Sequence, residues 1–77
     1  MHIERLIKMA NDIGDFFQAE PNRADALSGI ANHIQRFWEP RMREQILAYL
    51  QKDGSELHEL VREALGKVKV SNPKSAA

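Results

Sequence analysis

Cysteine is absent from these 77 residues. That excludes a disulfide staple and a thiolate metal site, so packing or a partner must stabilise so short a chain. Net charge is absent too: 11 Lys and Arg balance 11 Asp and Glu, which argues against a general binder of nucleic acid or anionic membrane. No apolar run approaches bilayer length. Met1 to Lys8 alternates charged with apolar side chains, unlike a secretory signal. A cytoplasmic protein with no membrane partner is the expectation. Glycine and proline are scarce, at four and three, so each one acts as punctuation. Aromatic residues are few: one Trp, one Tyr and three Phe.

What the chain has in quantity is helical periodicity. On a wheel of 100° per residue, Ile3, Leu6, Ile7, Ala10, Ile13, Gly14 and Phe17 share one arc, flanked by Met9 and Phe16. Gly14 on that stripe predicts a close approach by another helix. Glu20-Pro21-Asn22 interrupts the pattern, and Asn22 is placed to cap the next helix. The second pattern, from about Arg23 to Trp38, gathers Leu27, Ile30, Ala31, Ile34 and Trp38, with Phe37 at the margin and Gly29 and Arg36 facing away. A third runs from Pro40 to Lys52 on Met42, Ile46, Leu47, Tyr49 and Leu50, and Asp53-Gly54 closes it. Ser55 can cap a fourth, striped by Leu57, Leu60, Val61, Ala64, Leu65 and Val68. The reading is all-α, a small antiparallel bundle of four amphipathic helices over residues 1–69, with 70–77 a flexible tail.

The stretch that organises the rest is Phe37-Trp38-Glu39-Pro40-Arg41-Met42-Arg43. Pro40 disfavours helix at Glu39 and suits the first position of a new one, so two helices meet here. Two aromatic residues lie beside an arginine-bearing first turn, where the helix dipole prefers anions. Arg43 also falls between Leu47 and Leu50 on the apolar arc, so its guanidinium must pair internally, for instance with Glu39, or meet a partner. The second outcome is favoured here, since no acidic residue is obviously placed to receive it. For Phe37 and Trp38, core packing and a binding corner both stay open.

Catalytic constellations are missing. There is no Gly-rich phosphate loop and no Ser-His-Asp arrangement picked out by spacing. Glu59, Glu63 and His58 diverge on the wheel and read as a solvated face rather than a metal site. Arg36, Arg41 and Arg43 could contact phosphates, so a small regulatory or nucleic-acid-binding helical domain is the alternative reading, although they lack a wider basic stripe. An independent enzyme is not expected.

Five segments carry a family resemblance: Met9-Ala10-Asn11; Ile13 with Phe16-Phe17; Ile30-Ala31-Asn32-His33-Ile34; Phe37-Trp38-Glu39-Pro40-Arg41-Met42-Arg43; and Leu60-Val61-Arg62-Glu63-Ala64-Leu65. In this order, across roughly residues 3 to 66, the chain resembles the delta subunit of cytoplasmic NAD-dependent formate dehydrogenase. Departures are mild: Gly14 stands where alanine is expected, and the loop around Glu20 to Arg23 is more polar. The resemblance implies a non-catalytic accessory subunit without a cofactor of its own. It further implies partners in the larger subunits, the catalytic one in particular, which hold a molybdenum or tungsten bis-pterin centre, iron–sulfur clusters, FMN and NAD. The role implied is assembly, cofactor insertion or stability of that complex. Phe37, Trp38, Pro40, Arg41, Met42 and Arg43 are the expected partner-binding residues.

Overall fold

Each apolar stripe becomes one helix of an all-α fold. The structure, a computed structural model, describes residues 2–70; the expected tail lies outside them from residue 71 onward. Helix α1 spans Ile3–Phe17, α2 Arg23–Phe37, α3 Pro40–Lys52 and α4 Glu59–Leu65. Helix α2 packs on α1 and α4, and α3 packs on α1 and α4. One core results. Leu6, Ile30, Ile34, Ile46, Val61 and Leu65 are its largest fully enclosed side chains, and Trp38 closes it at the α2–α3 corner.

Local chemistry sets the breaks. The Asn22 side chain accepts from the Asp25 amide at 3.1 Å, which satisfies one orphan donor of α2. Pro40 opens α3, where its missing N–H costs nothing. Gly54 follows the C-cap with φ of 70°, a conformation open to glycine and strained for other residues. Gly14 is buried, and a Cβ there would collide with Val61 Cγ2 of α4, so the expected close approach is real. Gly29 differs from its expected outward position: the edge of the Phe17 ring lies where its Cβ would be.

Helix α4 is shorter than its stripe, and side chains of other helices hold the backbone before it. The Glu56 amide donates to Tyr49 Oη at 3.0 Å. Asn11 donates to the Glu56 carbonyl at 2.9 Å and accepts from the His58 amide at 3.0 Å. Residues 54–57 therefore form a turn, with Leu57 N–H bonded to the Gly54 carbonyl. Ser55 caps nothing; its hydroxyl donates to Asp53. Beyond Leu65 the amides of Lys67 and Val68 reach back three residues, tightening the exit. Leu57 and Val68 are still buried, so the stripe packs although its ends are not helical.

Candidate interaction surface

The α2–α3 corner sorts the six expected partner-binding residues by side. Trp38 is 4% exposed and belongs to the core, which decides the question left open by the sequence. Met42 is half-buried against the same core, while Pro40 and Arg41 are exposed. Phe37, one residue before Trp38, is 68% exposed.

Arg43 is 4% exposed, and the expectation that it lacks an internal partner is corrected. Its Nη1 donates to the Gln35 carbonyl at 3.0 Å and also to the Trp38 carbonyl. Its Nε and Nη2 both donate to the Val70 carbonyl, at 3.0 and 2.6 Å. The partners are carbonyls and not carboxylates, so the side chain is satisfied without a matching acid. Two of them belong to the end of α2, where carbonyls lack helical donors and the dipole is negative. The guanidinium in the first turn of α3 thus caps the C-terminus of α2. That contact answers its mismatch with the dipole of its own helix. Arg36, Arg41 and Arg43 do not form one phosphate-facing set, because Arg43 is turned inward.

Gln35 works beside it. Its side-chain amide donates to the Lys69 carbonyl at 3.1 Å and accepts from the Lys69 amide at 2.8 Å. Residues 69 and 70 are therefore held against the corner through their main chain.

A second group of exposed side chains lies across α1 and α2, and the sequence reading did not assign it. Phe16 is 75% exposed and stands edge-on to Phe17, with ring centroids 5.1 Å apart and planes at 87°. Ile13, Phe16, Phe17 and His33 line a shallow depression of about 370 Å³, with Asp12 at its rim. His33 in turn lies 4.9 Å from the ring of Phe37, and the Arg36 guanidinium sits 5.9 Å from that ring on its other contact. Two phenylalanines, joined through one histidine, thus form an exposed aromatic face. The available signal was positional: Phe16 flanks the arc of α1, and Phe37 sits at the margin of the arc of α2. Residues at the margins of two packed helices can share one outer surface.

A further depression, about 450 Å³ between Phe17, Pro21, Arg23 and His58, is lined by side chains that engage one another and their neighbours. Arg23 pairs with Glu63 and lies 3.7 Å from Glu59. The Glu63 hydrogen bond, followed by its charge, raises the guanidinium further above its ordinary value. His58 Nδ1 is 3.2 Å from Asp15. These pairs are exposed and contribute little to stability. Among the described residues no group of three or more His, Asp and Glu side chains is placed to hold a metal, and no helix is long and apolar enough to cross a membrane.

No match was found among curated proteins or among solved structures. A family comparison did match, over residues 5–65, to the NADH-dependent formate dehydrogenase delta subunit, FdsD. That span includes all four helices except the first two residues of α1, and with them the corner and the aromatic face just described. The chain therefore belongs to the delta-subunit family of NADH-dependent formate dehydrogenases.

Proposed function

We propose that this chain is a non-catalytic, cytoplasmic accessory subunit that docks on a larger subunit of the formate dehydrogenase complex, the catalytic one. Docking there supports assembly, cofactor insertion or stability of the complex. The observation that carries the reading is the pair of exposed phenylalanine rings in a member of a subunit family. Large apolar side chains left in water on one face are the usual material of a protein interface. Without cysteine the chain has no thiolate to offer an iron–sulfur cluster. In this reading the bis-pterin metal centre, the clusters and the flavin all belong to the larger subunits. This chain acts on them through the fold of its host.

The test compares the complex produced with and without this chain. Purified complex lacking it is expected to carry less metal per catalytic subunit, or to lose formate-dependent NAD reduction faster on heating. The isolated chain is expected to oxidise no formate and to retain no stoichiometric metal. Turnover of formate by the isolated chain, or one tightly held metal ion per chain in elemental analysis, overturns the proposal.

A further inference from the structure

The aromatic face has a shape and a charge that specify what covers it. It is built on two adjacent helices, whose interior amides and carbonyls are committed to their own helical ladders, so α1 and α2 offer mainly side chains. No strand edge is present among the described residues, so an extended segment would find no main chain to pair with here. A groove between two helices, with an apolar depression and aromatic walls, suits an amphipathic helix that inserts one or two side chains.

Charge narrows the occupant further. On the α1 side the carboxylate that lines the depression, Asp12, pairs with Lys8 at 3.3 Å. On the α2 side, Arg36 is exposed and stacks only on Phe37, with no carboxylate paired to it among the described residues. The unanswered charge of the face is therefore cationic. A second copy docked through the same face would bring its own rings and a second Arg36 to it, like charge against like. A partner with its own acidic residue completes it.

We infer that the Phe16–His33–Phe37 face receives an amphipathic helix of a larger formate dehydrogenase subunit, with an apolar side chain entering the depression beside Phe16 and a carboxylate meeting Arg36. This rests on the accessory role proposed above and names the surface and the chemistry of its partner.

Phe16 and Phe37 are mostly exposed, so Phe16→Ser and Phe37→Ser together are expected to leave the thermal midpoint of the free chain within a few degrees of the original. Arg36→Glu provides a second variant that removes no packed side chain. Each is co-produced with the larger subunits of the complex, and association is measured by co-purification and by titration at several salt concentrations. The original chain is expected to co-purify, the double serine variant to bind at least about tenfold more weakly, and Arg36→Glu to bind more weakly with a flatter salt dependence. If the double variant and Arg36→Glu both bind like the original, the face is not the interface, while the accessory role stands. If the original chain fails to associate with any larger subunit, the accessory role itself falls and this inference with it. Light scattering supplies one more outcome: a dimer of the original chain that the double serine variant abolishes assigns the face to a second copy and overturns the inference.

Discussion

Arg43 carries the lesson at the residue scale. A guanidinium on an apolar arc invites a search for a carboxylate, and periodicity alone offers no other candidate. The structure satisfies it with three main-chain carbonyls, two at the end of α2 and one at Val70. Carbonyl acceptors have no signature in the sequence, since every residue owns one. The place of Arg43 on the apolar arc was therefore legible, while its burial on internal partners was not. Removing the side chain leaves those carbonyls enclosed without donors, at a cost of about 1–3 kcal/mol for each group that stays dry. Arg43→Met, which keeps the volume and loses the donors, is expected to lower unfolding free energy by about 2–4 kcal/mol in urea titrations. Arg43→Lys should recover only part of this, because an ammonium cannot span acceptors on both sides of the corner as the planar fork does. Stability equal to the original in the methionine variant would show that the hydrogen bonds contribute nothing net. The neighbouring aromatics make the same point differently. Phe37 and Trp38 are adjacent, yet one is in water and the other in the core, because the chain leaves helical geometry at Trp38, where ψ is 138°.

At the scale of elements, periodicity placed four segments, and three have nearly the expected limits. Their ends are marked by Asn22, Pro40 and Gly54, residues whose effects are local. The fourth differs because its limits are set at a distance. Asn11, on another helix, donates to the Glu56 carbonyl, the acceptor that a longer α4 would offer to the Leu60 amide. No local propensity reports such a competition. Gly14 shows a tertiary contact that was legible, since a glycine on an apolar stripe has little other reason to be there. Alanine has the better helix propensity by about 1 kcal/mol, but its Cβ would meet Val61. Gly14→Ala is thus expected to be a net loss, because overpacking a close helix contact costs about 1–3 kcal/mol. The measurement is the thermal midpoint, and pairing with Val61→Ala should restore most of the loss caused by the added methyl. A higher midpoint for the single variant would mean that α4 shifts away at no cost.

For the whole molecule, the class of fold and the family were both readable from the residues, while the exposed face was not. A wheel ranks positions within one helix: it makes His33 and Phe37 neighbours one turn apart on α2, but Phe16 joins them only when α1 packs beside α2. Surfaces that span elements need the packing first. The same holds for the corner, where Gln35 and Arg43 fasten residues 69 and 70, up to 34 positions away, to the middle of the chain. A chain ended after Val68 is expected to keep its helices and lose about 1–3 kcal/mol of stability, with two or more buried donor contacts unmade. Urea unfolding checks this, and amide exchange should quicken first around Gln35 to Arg43. An unchanged midpoint would show that water replaces the missing main chain without loss.

The bonds from Arg43 to Val70 also impose an order on biosynthesis. Helices α1 to α3 can form as they emerge, but the cap on α2 stays incomplete until residue 70 has been made. A product released early, even one carrying every residue of the four helices, would present a loosened corner beside Phe37 and Trp38. Synthesis past residue 70 is thereby registered at a corner 27 positions earlier in the chain.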